Sequence, residues 1–169
     1  MGKFLELKVT EDGWEYVSRV NCAGAALVLV YNKDTDRYLM VEQYRPPVKC
    51  RVLEWPAGLI EEGEEPAEAA VRELREETGL QADVSDLIDL GKVFSAVGLT
   101  DEQVCLFALE MDSTFSIGKP DAQGKERGYG LAGKWITEEE LLTAKAAKSL
   151  TVYARFMAKK KNPSLKFTD

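Results

Sequence analysis

Residues 3–9 and 14–20 alternate apolar and polar positions on either side of Asp12-Gly13, a period of two with a turn between, which predicts a β-hairpin. Ala23 to Tyr31 is almost continuously apolar, the pattern of a buried strand, and Asn32-Lys33-Asp34-Thr35-Asp36 turns the chain after it. Arg37 to Tyr44 alternates again as the hairpin partner and stops before Pro46-Pro47; Arg51 to Trp55 reads as another short strand. The period then changes. Ala67, Ala70, Val71, Leu74 and Thr78 recur at three- and four-residue intervals, predicting a helix over 66–78 with Pro66 in its first turn and Gly79 as a left-handed cap. Leu87 to Phe94, Val104 to Leu109 and Lys134-Trp135-Ile136 read as strands. Thr137-Glu138-Glu139-Glu140 is a capping box opening a helix, and Leu150 to Lys160 continues helical. Strands fill the first half, helices flank them, and no repeat or linker interrupts. The fold class is α/β, a sandwich around a mixed β-sheet with an N-terminal β-hairpin extension.

The 169 residues are one domain's worth, 1–169, with 1–20 as the extension and 162–169 as a mobile tail beyond the basic run Lys159-Lys160-Lys161. Lys+Arg 22 against Asp+Glu 29 leaves a net charge of -7, which repels a nucleic-acid backbone, and no basic patch stands out to reverse that. Cys22, Cys50 and Cys105 are too few and too scattered for a disulfide framework or a zinc site, so a reducing cytoplasm is expected. The N-terminus has no basic-then-apolar leader pattern, and the longest apolar run, Ala23 to Tyr31, is too short to span a bilayer. The chain has no histidine, which removes the commonest general base, the usual zinc or iron ligand and every Ser-His-Asp arrangement. Any metal must be held mainly by oxygen, and hard oxygen donors select Mg²⁺ or Mn²⁺.

The most informative stretch runs from Gly58 to Leu80: Gly58, then Glu64, then Arg72-Glu73-Leu74, Glu76-Glu77 and Gly79-Leu80. On the predicted helix Glu73, Glu76 and Glu77 stand at i, i+3 and i+4, so three carboxylates share a face, placed by the pattern opposite the buried stripe. Like charges this close call for a cation. A divalent ion supplies it, and the tight loop at Ala57-Gly58 offers a backbone carbonyl to complete its coordination. Glu64 and Arg72 are expected to form a buried ion pair tying that loop to the helix. A glutamate-rich helix is often only a solvated face, but such a face has no need of Gly58, Glu64 and Gly79 at these spacings.

At every one of these positions the stretch resembles the signature of the Nudix hydrolases. That resemblance implies a Nudix-like α/β/α sandwich and metal-dependent hydrolysis of a pyrophosphate bond, with Glu73, Glu76 and Glu77 catalytic and, with the Ala57 carbonyl, metal-binding. In similar proteins the general base is a glutamate of this box or one on a later loop; here Lys119 to Gly133 offers Asp121 and Glu126, of which Glu126 is the better placed. Outside the box the chain is similar to the ADP-ribose pyrophosphatase and nucleoside diphosphate sugar hydrolase branch, through Val41-Glu42-Gln43-Tyr44-Arg45, Leu53-Glu54-Trp55-Pro56-Ala57-Gly58 and Gly98-Leu99-Thr100-Asp101-Glu102. By that likeness Arg45 would grip a phosphate, Arg51 and Glu102 would line the substrate site, and Trp14 with Tyr16 would stack on the base from the partner subunit of a homodimer. The chain departs from the branch at Ala96-Val97-Gly98, where a proline usually precedes the glycine. The resemblance leaves open ADP-ribose, a broader range of nucleotide sugars, and a non-catalytic nucleotide sensor. Sensors of this kind tend to lose box glutamates, and all of them are present here.

Overall fold

The structure is a computed structural model, described here for residues 4–121 and 128–167. The chain forms β1 (Leu5–Val9), β2 (Glu15–Arg19), β3 (Ala25–Asn32), β4 (Arg37–Arg45), β5 (Cys50–Glu54), β6 (Ala57–Leu59), α1 (Pro66–Thr78), β7 (Leu87–Phe94), β8 (Gln103–Met111), β9 (Ala132–Ile136), α2 (Glu138–Leu142) and α3 (Ala147–Lys161). β1 and β2 pair as a separate hairpin. The main sheet runs β5-β4-β3-β8-β7, with β6 on β3 and β9 on β4. β3 and β8 are parallel and the remaining pairs antiparallel, so the sheet is mixed.

Strand alternation divides the core into two layers. Ala25, Leu27 and Leu29 of β3 and Val104, Leu106 and Ala108 of β8 face one side, packing with Leu141 of α2 and Val152 and Phe156 of α3. Ala26, Val28 and Val30, with Cys105, Phe107 and Leu109, face the other side and meet Ala69, Ala70 and Leu74 of α1. Both faces of β3 are therefore covered, which is why its sequence is apolar without alternation. At about 1.5–3 kcal/mol for each large side chain buried, these two layers carry most of the driving force for folding. The arrangement is the α/β/α sandwich expected from the sequence.

α1 spans Pro66 to Thr78 as predicted, and Gly79 closes it with φ 77°, its N–H donating to the Arg75 carbonyl at 2.8 Å. A Cβ on Gly79 would lie 2.3 Å from the Gly118 carbonyl oxygen, so the cap needs glycine for space as well as for its backbone angle. β6 was not anticipated. Ala57-Gly58-Leu59 pairs antiparallel with Ala25, Ala26 and Leu27 where a tight loop was expected, because three residues are too few to show a period.

The hairpin docks on the loop before β8: Val17 N–H donates to the Leu99 carbonyl at 2.8 Å, and Ser18 Oγ to Asp101 at 2.6 Å. Residues 162–167, expected as part of a mobile tail, lie against the domain. Lys159 Nζ donates to the Leu165 carbonyl at 2.6 Å, and the Arg155 guanidinium sits 4.8 Å from the centre of the Phe167 ring, which packs on the α3-side core. Among the described residues, no helix is long and apolar enough to cross a membrane.

Candidate active site

A cleft of about 650 Å³ opens where α1, β6, the ends of β3 and β4, and the start of α3 converge. Its walls include Glu73 and Glu77 from α1, Ala57 and Gly58 from β6, Arg45 and Gln43 from β4, Glu54 from β5, Glu102 just before β8, and Lys148 and Ser149 from the first turn of α3.

The helical pattern placed the three box glutamates opposite the buried stripe; the fold corrects this. Glu73 and Glu77 are only 8% and 1% exposed, because they stand beside Ala69, Ala70 and Leu74 and β6 covers that side of the helix. Glu77 Oε2 accepts from the Ala57 N–H at 2.9 Å, and Glu73 Oε1 from Arg72 Nη1 at 2.7 Å. Glu76 lies outside the cleft lining, 3.9 Å from both Arg72 and Arg75. Among the described residues no three acidic, histidine or cysteine side chains converge as a ready cation cage. Like charges at these spacings repel, and Glu73 and Glu77 each take a protein donor of their own.

The donor set nevertheless fits a hard divalent cation. It consists of carboxylate and backbone oxygen alone, on two buried, neighbouring carboxylates that face a cleft. Gly58 makes the seat possible. A Cβ there would fall 1.9 Å from the Glu73 carboxyl carbon, so any side chain at this position occupies the space the carboxylate uses.

The ion pair expected between Glu64 and Arg72 is formed at two points, Nε to Oε1 at 2.8 Å and Nη2 to Oε2 at 3.0 Å. Arg72 Nη2 also donates to the Leu59 carbonyl at 3.0 Å, tying the loop, β6 and α1 together. The Arg72 hydrogen bond holds the Glu64 carboxyl below its ordinary pKa, against the opposing effect of burial.

Arg45 reaches the cleft and pairs with Glu54 at 2.7 Å. Glu102 is there too, bonded to Arg19 and 3.9 Å from Lys148. Burial pushes its carboxyl up, but the hydrogen bonds from Arg19 and Ser95 and the charges of Arg19 and Lys148 prevail and hold its pKa below the ordinary value. Arg51 does not join them. Its cross-strand partner is Tyr44, so strand alternation places it on the opposite face from Gln43 and Arg45, where it bonds Glu42 at 2.7 Å and the Gly130 carbonyl at 2.8 Å. Trp14 stands 59% exposed at the hairpin end and does not line this chain's cleft. Glu126 lies outside the described residues; on either side of the undescribed stretch, Asp121 N–H donates to the Glu76 carbonyl at 2.8 Å, and the Tyr129 carbonyl accepts from Tyr44 N–H at 3.2 Å.

Residues 22–156 match the profile of the NUDIX domain, which covers most of the chain and every cleft residue just described except Arg19. The chain belongs to the Nudix family. This Nudix domain is 38% identical over 94 residues to an ADP-ribose pyrophosphatase of Saccharomyces cerevisiae, a match covering 55% of this chain and 40% of that protein. It is 40% identical over 87 residues to an ADP-ribose pyrophosphatase of Bacillus subtilis, covering 52% of this chain and 45% of that one. The matched segments thus span less than half the length of either relative. A crystal structure of an ADP compounds hydrolase superposes with a TM-score of 0.70 over 97% of this chain and 90% of its own, at 18% identity, a likeness of fold.

Sequence reading missed Arg19, Glu54, Lys148, Ser149 and the role of Gln43. They come from four elements, β2, β4, β5 and α3, with no shared spacing, and only the closing of the sandwich brings them to one cleft. Gln43 and Glu54 lie inside the segments 41–45 and 53–58 that resemble the family, but a single strand does not say which face opens to a ligand.

Proposed function

We propose that this protein hydrolyses the pyrophosphate bond of ADP-ribose or a related nucleoside diphosphate sugar, releasing a nucleoside monophosphate and a sugar phosphate. The observation that carries this reading is the pairing, in one cleft, of the buried carboxylates Glu73 and Glu77 with the cation Arg45. One wall holds Arg45, which a diphosphate would draw away from Glu54, and the other holds oxygen donors for the ion that accompanies it. The names of the yeast and Bacillus relatives support ADP-ribose as the first substrate to try.

Glu73 and Glu77, with Glu76 beside them and the Ala57 carbonyl, are the residues that would hold Mg²⁺, or Mn²⁺ in its place. When bound, such an ion activates water and neutralises charge on the diphosphate. Arg45 orients a phosphoryl group, and Arg72, locked by Glu64, holds Glu73 toward β6. A water oxygen forms the new bond to phosphorus as the bridging oxygen departs with the other phosphate, and a carboxylate takes the water's proton. Glu126 or a box glutamate serves as that base.

The enzyme works as a homodimer in this reading. Leu5, Leu7 and Val9 stand 47%, 67% and 59% exposed along one face of the hairpin, more apolar surface than a lone strand face needs, and a second copy would cover it. In that dimer Trp14 would reach the partner's cleft.

The deciding experiment is turnover with Mg²⁺ of ADP-ribose, GDP-mannose, UDP-glucose, NADH and nucleoside triphosphates, using a phosphatase to release phosphate from monoester products. Preference for ADP-ribose supports the proposal, comparable rates on hexose nucleotides broaden it, and no turnover of any of them sinks it in favour of a sensor. Glu73→Gln and Glu77→Gln should each lower kcat by about two orders of magnitude or more with the fold intact. Unchanged activity in both would remove the metal-site assignment.

A further inference from the structure

We propose that Gln43 and Ser149 form a hydrogen-bonding subsite on the wall of the cleft that recognises the hydroxyl groups of the substrate's sugar, on the sugar-phosphate side of the bond that is cut. The inference rests on the nucleotide-sugar reading above and assigns a place to the half of the substrate that Arg45 and the box do not hold.

Both residues are polar, almost wholly buried at 3% and 1% exposure, and both line the cleft. Neither the Gln43 amide nor the Ser149 hydroxyl hydrogen-bonds to another described residue, yet neither is sealed away from the cleft without a partner. Buried polar groups are nearly always paired, so two such groups open toward the same space mark a place where a ligand or water supplies the missing partners. Every other polar side chain named in this cleft is engaged. Arg45 has Glu54, Arg19 and Lys148 have Glu102, Glu73 has Arg72, and Glu77 has the Ala57 N–H.

The positions are rigid. Gln43 lies within β4, opposite Val52 of β5. Ser149 is in the first turn of α3, where its N–H donates to the Ala146 carbonyl at 2.9 Å and its own carbonyl accepts from the buried Trp55 Nε1 at 3.1 Å. Trp55 thus fixes the turn of α3 that carries the hydroxyl. Groups held this way lose little entropy on binding a ligand.

The chemistry favours a sugar over a base. An amide and a hydroxyl each donate and accept, and so does every sugar hydroxyl. A base also wants an open aromatic face. Trp55 is 1% exposed and offers none, while the exposed aromatic of the cleft, Phe4, belongs to the hairpin.

The test is calorimetric binding of ribose 5-phosphate and of AMP, with Mg²⁺, to the wild type, Gln43→Met and Ser149→Ala, alongside kcat and KM for ADP-ribose. Each variant should bind ribose 5-phosphate about 5- to 10-fold more weakly and raise KM for ADP-ribose by a similar factor, with AMP affinity within about twofold of wild type. An equal or greater loss for AMP would assign the pair to the nucleoside half of the substrate, its ribose or its base, and no change for either ligand would remove it from the site; both overturn the proposal. Ser149→Ala removes a single oxygen and keeps the helix, so a poorly folded Gln43→Met still leaves a decisive variant. A wild type that binds ribose 5-phosphate with this pattern but cuts no nucleotide sugar would refute the hydrolase reading and leave the subsite standing. Active wild type with unselective variants does the reverse.

Discussion

Arg72 holds Glu64 through two parallel contacts, at 2.8 and 3.0 Å, and with its remaining nitrogen reaches Glu73 at 2.7 Å. One guanidinium therefore couples the loop before α1 to a carboxylate of the cleft. A lysine keeps the charge but has no planar fork and cannot make these contacts together. Arg72→Lys should lower kcat about 10- to 100-fold, the usual loss when a group that orients a metal-site carboxylate is removed. Steady-state kinetics with circular dichroism on the same sample checks this; wild-type activity in Arg72→Lys would show that Glu73 is placed without it.

The pH dependence of stability follows from Glu64 and Glu102, whose carboxyls are both held below their ordinary pKa of 4.5 in the fold. A depressed folded-state pKa means the stabilisation is fully present above the unfolded value and is lost as pH falls through the folded one. Urea midpoints should therefore hold from neutral pH to about pH 5 and drop below it. The drop should be shallower in the Glu64→Gln, Glu102→Gln double variant. An identical acid slope in the double variant would mean that other carboxylates dominate.

Gly58 is required by its neighbour. A methyl group at this position overlaps the Glu73 carboxylate at 1.9 Å, and the carboxylate must leave its seat, whereas the Gly58 backbone carries no left-handed angle that alanine would strain. Gly58→Ala should reduce kcat at least about tenfold while shifting Tm by only a few degrees. A large fall in Tm with kcat preserved would reverse this assignment, making the glycine a folding residue.

For the hairpin, the exposed Leu7 is the most informative position. Sedimentation equilibrium should find a dimer for the wild type and a monomer for Leu7→Lys, because a buried lysine opposite an apolar face costs several kcal/mol. If Trp14 serves the partner's cleft, the monomeric variant should also show a raised KM. A monomeric wild type would end the dimer proposal.

By itself the sequence determined the order of the elements other than β6, the sandwich of layers and the acidic box. β3 and β8 are apolar along their length because helices cover both faces, α1 shows its period and its Gly79 cap, and Gly58, Glu64 and Arg72 stand at spacings a surface helix does not need. Such features rest on interactions between residues near in sequence, and those leave a periodic trace. Beyond the Glu64–Arg72 pair, tertiary structure alone decided which polar groups meet. It buried Glu73 and Glu77 under a three-residue strand too short to announce itself, turned Arg51 away from Arg45 through the alternation of one strand, and brought Gln43 and Ser149 to one cleft. Their neighbours lie across the fold, and contact between distant segments depends on packing that no local pattern records.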